Sequence, residues 1–281
     1  MTIRNNEDRI AAMHNDPSPA EVMGPSAGPL SFVTPTEFVD LPSKGEFYPT
    51  GHPLHRQDTV EIRYMTAKEE DILTSRTLLK KGLVIDRLIE SILVNKNIAS
   101  KDLLIGDKNA IIVAARITGY GEEYQTKVNC PSCGAYVEYS FDLSEAKIVN
   151  SETSEGMTKT EDGTFITRLP RLDVDVEVKL LTGHDEEYLA KSAASKKKHK
   201  LADSLLTDQF RRYIVSVNGE TNRTVVNSLI ENMPASDSRY LRRQYQSVVP
   251  NIDLTQEFEC DNCGLEQLME VPFTADFFWS R

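Results

Sequence analysis

The chain has 281 residues, with 43 Asp and Glu against 32 Lys and Arg and a formal net charge of −11. That length can bury one large core or two modest ones, and the acidic balance argues against partners as polyanionic as nucleic acid or a membrane surface. The longest apolar run, residues 110–115, is far short of the about 20 residues of a membrane span, and residues 1–16 lack the apolar centre of a secretion signal.

Residues 1–40 are rich in Asn, Asp, Pro, Gly and Ser without a sustained period, and read as a flexible tail. Residues 41–49 (LPSKGEFYP) place Pro and Gly beside Phe47 and Tyr48, which predicts an ordered extended segment. Residues 59–64 alternate polar and apolar and read as a strand. Thr66 and Glu69 form a capping box, so a helix is expected to run to about Lys81 and stop at Gly82. Val84, Leu88 and Ile92, with Ile85, Ile89 and Leu93, define the apolar face of a second helix. Asp107 is a candidate cap for a third, through Arg116, and residues 119–121 (GYG) should break it.

Two similar units follow. Residues 123–129 and 136–143 are strand-like around Cys130-Pro131-Ser132-Cys133-Gly134. Residues 255–259 and 266–271 are strand-like around Cys260-Asp261-Asn262-Cys263-Gly264. Between them, residues 150–163 read as a polar loop, 164–168 and 174–181 as a hairpin, and 185–194, 201–217, 223–232 and 237–248 as helices. The division expected is a tail (1–40), a strand and helical region (41–122), a first half-module (123–149), an inserted hairpin and helical region (150–253), and a second half-module with an aromatic end (254–281). The fold class is α+β: helical regions with a four-cysteine zinc-ribbon-like β module split by a long helical insertion.

Zinc takes four soft ligands in a tetrahedron, and a Cys-x-x-Cys turn supplies two thiolates at once. Cys130, Cys133, Cys260 and Cys263 use every cysteine of the chain, leaving no open position for catalysis. One structural zinc is therefore expected. Iron in the same cage, two disulfides or a redox pair are the alternatives. Two matched pairs argue against redox, which needs one, and a reducing compartment argues against disulfides. The gap between pairs exceeds the usual 15–20 or so residues of a ribbon, but closure entropy grows only with the logarithm of loop length.

Other features are weaker. His52 and His55 near Asp58 form a turn-rich segment, not a convincing second metal site. No phosphate-binding loop or nucleophile elbow is present, and no enzymatic activity is expected. Lys196, Lys197, Lys198 and Lys200 make a basic run without interleaved aromatics, read as a solvated inter-helix turn. Asp237, Arg239, Arg242 and Arg243 read as a salt-bridged helix face. Phe277, Phe278 and Trp279 are aromatic near the chain end. They either pack on the ribbon or serve as a partner-binding anchor.

Several segments in order carry a resemblance: residues 41–49; 65–73 (MTAKEEDIL); 103–107 (LLIGD); 116–121 (RITGYG) with Tyr124; 237–242 (DSRYLR); 250–253 (PNID); and Phe277, Phe278 and Trp279. From about Leu41 onward, the chain resembles the baseplate hub subunit or hub-assembly chaperone family of T-even-like contractile-tailed phages. The resemblance implies a non-enzymatic role in building the tail hub. It implies contacts with other hub proteins and the tape-measure protein, in the virion and in the host cytoplasm during assembly. A zinc-ribbon nucleic-acid-binding regulator is the alternative from another class.

Overall fold

The computed structural model of the chain describes residues 33–151, 156–202, 204–272 and 275–278. Of the tail expected over residues 1–40, residues 1–32 lie outside them. Strand β1 (Thr36–Asp40) pairs antiparallel with β2 (Thr59–Arg63). Residues 36–40 thus form a strand where the composition suggested tail, because Val39 faces Val60 across the ladder and both are buried. Residues 41–49 make successive turns rather than an extended segment. The Lys44 N–H donates to the Leu41 carbonyl and the Glu46 N–H to that of Ser43.

Helices α1 (Ala67–Thr74) and α2 (Arg76–Lys81) replace the single helix expected there. Ser75 lies between them in an extended conformation and turns its hydroxyl to cap Leu78, so a local hydrogen bond ends one helix and starts the next. The Thr66–Glu69 capping box forms as expected. Helix α3 (Val84–Ile92) buries Leu88, Ile89 and Ile92. Helix α4 (Ile105–Tyr120) is central and buries Ala110, Ile111, Ile112, Val113 and Ala115. It passes through Gly119 and ends at Gly121. Asp107 lies inside its first turn, facing the core, and is not the cap. The preceding Gly106 admits no side chain: a Cβ there would sit 1.9 Å from the Pro250 carbonyl oxygen.

The two half-modules are antiparallel hairpins, β3 (Glu123–Asn129) with β4 (Tyr136–Asp142), and β11 (Thr255–Glu259) with β12 (Glu266–Glu270). Beside them β5 (Lys147–Val149) pairs with β10 (Asn251–Asp253). This unexpected pairing joins the two ends of the excursion between the hairpins. Within the excursion, β6 (Thr158–Lys159), β7 (Phe165–Arg168), β8 (Asp175–Val178) and β9 (Ile214–Val217) form one antiparallel sheet in that order. The expected hairpin is β7–β8. β6 falls in the stretch read as loop, and β9 in the stretch read as helix.

Helices α5 (Gly183–Lys198), α6 (Leu205–Tyr213), α7 (Arg223–Asn232) and α8 (Ala235–Val248) pack around that sheet's connections. Helix α6 stops at Ile214, where β-branched residues join β8 instead. The described residues hold eight α-helices and several small antiparallel sheets, an α+β fold. Asp237, read as part of an exposed face, is buried. It accepts from the Arg171 and Leu172 N–H groups at 3.1 and 2.9 Å. No helix among the described residues is long and apolar enough to cross a membrane.

Asp185 shows how this part is held. It is buried at the start of α5 and accepts from Thr182 N at 3.1 Å, Lys179 Nζ at 2.8 Å and Arg212 Nε at 2.9 Å. Burial alone would raise its pKa. The Lys179 ammonium, the Thr182 N–H and the Arg212 guanidinium outweigh burial and hold it below the ordinary carboxylate range. A depressed folded-state pKa gives stability that is complete above the unfolded value, about 3.9, and is lost as pH falls through the folded value. Asp185→Asn will therefore cost about 3 kcal/mol at neutral pH and flatten the acid limb of the stability curve below about pH 4. Denaturant midpoints across pH check both effects, and an unchanged acid limb would refute the assignment.

Candidate metal centre

Each knuckle is built the same way. In the first, the Cys130 N–H donates to the Ala135 carbonyl and the Gly134 N–H to that of Cys130. In the second, Cys260 donates to Leu265 and Gly264 to Cys260. Gly134 and Gly264 take φ of 69° and 68°. An added Cβ would meet nothing at either position, so only the left-handed backbone conformation favours glycine there. The turns aim both thiols of each pair to one side. Cys130 and Cys260 are buried, and Cys133 and Cys263 exposed.

The hairpins pack against one another below the knuckles. The Tyr139 ring lies 4.9 Å from Phe141 and 5.0 Å from Phe258, and its hydroxyl donates to the Glu257 carbonyl at 3.0 Å. Gln256 Oε1 accepts from the Asp142 N–H at 3.1 Å. These contacts bring residues more than a hundred apart in sequence into one module.

All four sulfurs lie within 4.8 Å of one another. Cys130 Sγ is 3.7 Å from Cys263 Sγ, and Cys133 Sγ is 3.9 Å from Cys260 Sγ. Four sulfurs at about 2.3 Å from a tetrahedral centre stand about 3.8 Å apart, so the cage has the size a zinc ion requires. A disulfide needs about 2.05 Å, and all four cysteines are free. Hydrogen bonding among the thiols favours the thiolate at one and the thiol at another. The Asn262 amide, at 3.5 Å, leads the groups that lower Cys133 to about 6. The Leu265 N–H favours the Cys263 thiolate, yet desolvation and the neighbouring sulfurs push that thiol up to about 12. Four sulfurs this close are able to share one cation, which would favour their thiolate forms. Among the described residues, this is the one His, Cys, Asp and Glu grouping compact enough to share an ion.

The other candidates are dispersed. His52 stacks on Tyr48 at 4.5 Å and His55 Nδ1 lies 2.6 Å from the Tyr48 carbonyl oxygen, so both serve the turn of residues 41–56. Lys196–Lys198 form the last turn of α5, not an inter-helix loop, and complement its negative end. Phe277 and Phe278, considered above as a partner-binding anchor, are buried in the chain's own core; Phe277 packs 5.0 Å from Tyr124. Trp279 lies outside the described residues.

Two contributors had no role assigned from the sequence. Arg116 is buried. Its Nε donates to the Phe277 carbonyl at 3.1 Å, Nη1 to Gly121 at 3.0 Å and Nη2 to Glu123 at 3.2 Å. It thereby joins α4, the start of the ribbon and the C-terminal turn. Its only local signal is a lone Arg after the apolar run of α4. The other is Asn262, an unremarked residue inside the second knuckle.

No curated protein and no solved structure matches the chain. The sequence profile described as T4 bacteriophage base plate protein matches residues 34–279. That span includes the whole described fold except Val33, both hairpins and all four cysteines, and it makes the chain a member of the T4-like phage baseplate protein family, with a structural role in the virion tail.

Proposed function

We propose that this baseplate protein acts at the central hub, as a subunit or as a helper of its assembly, and that one structural zinc held by Cys130, Cys133, Cys260 and Cys263 locks its ribbon. In this reading residues 123–149 and 254–281 form one module and residues 150–253 are an insertion within it. The pairing of β5 with β10 at the base of the insertion supports that division. The partners are other hub proteins and the tape-measure protein, met in the host cytoplasm during assembly. The role is one of binding without catalysis: the metal cage offers four protein ligands and no open position.

The observation that carries the metal reading is the spacing of the four sulfurs. Elemental analysis of the purified chain should find about one zinc per chain. Iron instead of zinc, or no metal, would refute it. The hub reading is tested by quantitative peptide mass spectrometry of complete phage particles. A fixed ratio to known hub proteins identifies a subunit. Absence from particles, with abundance in infected cells and co-purification with hub proteins, identifies a helper. Co-purification with no hub component would end the proposal.

A further inference from the structure

The two hairpins of the ribbon treat their outward charges differently. On β3–β4, Lys127 pairs with Glu138 at 3.2 Å, and Glu123 accepts from Gln125 and Ser140. On β11–β12 the exposed face carries Glu257, Glu259, Glu266 and Glu270. Glu259 stands directly opposite Glu266, a like-charge pair that weakens a free hairpin. No ion pair among the described residues reaches these four carboxylates. Leu268, opposite Glu257, is 68 % exposed in their midst. The hairpin thus sustains repulsion around an open apolar side chain, a pattern that a basic, partly apolar surface would relieve.

The same chain carries such a surface. Helix α5 ends on three lysines, and Lys200 follows at φ 53°. Lys196 is paired with Asp208, whereas Lys197, Lys198 and Lys200 are exposed. Leu201, next in sequence, is 62 % exposed. A helix C-terminus carries about half a negative charge, less than three unpaired lysines supply. Among the described residues, no ion pair joins this surface to the β11–β12 face within one copy.

We propose that the β11–β12 face of one copy docks on the α5 end of a second copy, with Leu268 against Leu201 and the glutamates against Lys197, Lys198 and Lys200. The two surfaces differ, so the contact is heterologous. Each copy offers one of each, and repetition closes a ring or extends a chain. The inference needs a folded ribbon but not the identity of its metal.

The test is sedimentation velocity of the purified full chain over a concentration series. The wild type should self-associate. Glu257→Lys with Glu270→Lys, and separately Lys197→Glu with Lys198→Glu, should each weaken association at least about tenfold, because the first removes the net charge attraction across the contact and the second turns it into repulsion. The first pair takes the net charge from −11 to −7 and the second to −15. A general-repulsion mechanism would move them in opposite directions, whereas docking weakens both. Mixing the two variants should restore association in one-to-one complexes, since the unaltered β11–β12 face of the second meets the unaltered α5 end of the first. Unchanged metal content and melting would show that each variant is folded. A wild type that stays monomeric at its highest soluble concentration, association unaffected by either variant, or failure of the mixture to recover would each overturn the proposal.

Discussion

With the proposed zinc in place, Cys260→Ser will remove the metal from the chain and unfold the ribbon, and Cys130→Ser and Cys263→Ser will do the same. A structural zinc site in a small module contributes apparent binding free energies of about 10–16 kcal/mol, and that energy is folding energy. One lost thiolate leaves three ligands and an open coordination position. Zinc content should fall from about one per chain to a small fraction, with a loss of several kcal/mol in stability. The loss should be local first: amide protection should collapse over residues 123–142 and 255–270, where the hairpins depend on the shared cage. The measurement is zinc content together with hydrogen exchange. A variant with wild-type melting and solubility would refute the site.

The size of that loss depends on what else closes the loop. Cys133 and Cys260 are separated by 127 positions. In a chain joined nowhere else, a cross-link of that span would be worth about 5 kcal/mol of closure entropy. Here β5 already pairs with β10, and Tyr139 already packs on Phe258, so most of that entropy is lost without metal. What the proposed zinc would then add is coordination and relief of thiol crowding. Chelation should therefore loosen the knuckles while the β5–β10 pair persists, a distinction the same exchange experiment resolves.

The knuckles were legible because their chemistry is local: two thiols and a glycine within one tight turn are set by spacing alone. So were α3 and α7, whose apolar residues recur at helical spacing. What was hidden depends on distant partners. Strand β1 lies in a Pro- and Gly-rich stretch and exists because Val39 meets Val60. Strands β5 and β10 are three residues each and carry no period of their own. Strand β9 continues directly from α6, and only its ladder with β8 separates the two. The aromatic residues Phe277 and Phe278 announced that they must be buried, but not that Tyr124 and Arg116 would receive them. Asp107 is the sharpest case. An acidic residue near a helix start looks the same in sequence whether it caps the helix or points into the core.

That inward carboxylate underlies the second large expectation. Asp107 is fully buried and accepts from Ser43 N at 2.9 Å, Ser43 Oγ at 2.6 Å and Tyr48 Oη at 2.7 Å. The Tyr48 hydroxyl in turn accepts from the Leu104 N–H at 3.1 Å, so the network fixes residues 41–49 onto the start of α4. The same segment reaches the inserted sheet, where Phe47 packs 5.6 Å from Phe165. Asp107→Ala would leave three buried donors without an acceptor and open a small cavity, at a cost of about 4 kcal/mol. Tyr48→Phe keeps the ring but takes one donor from Asp107 and leaves the Leu104 N–H without its acceptor, and should cost about 2 kcal/mol. Burial raises the Asp107 pKa more than the Ser43 and Tyr48 hydrogen bonds lower it. A raised folded-state pKa gives stability that is full below the unfolded value and declines as pH rises through the folded one. Asp107 and Asp185 therefore act in opposite senses. As pH falls from neutral, protonation of Asp107 should first strengthen the fold, and protonation of Asp185 should then weaken it below about pH 4. Asp107→Ala should erase the upper limb and Asp185→Asn the lower. If Asp107→Ala stayed within about 0.5 kcal/mol of the wild type, the network would not be what holds residues 41–49 in place.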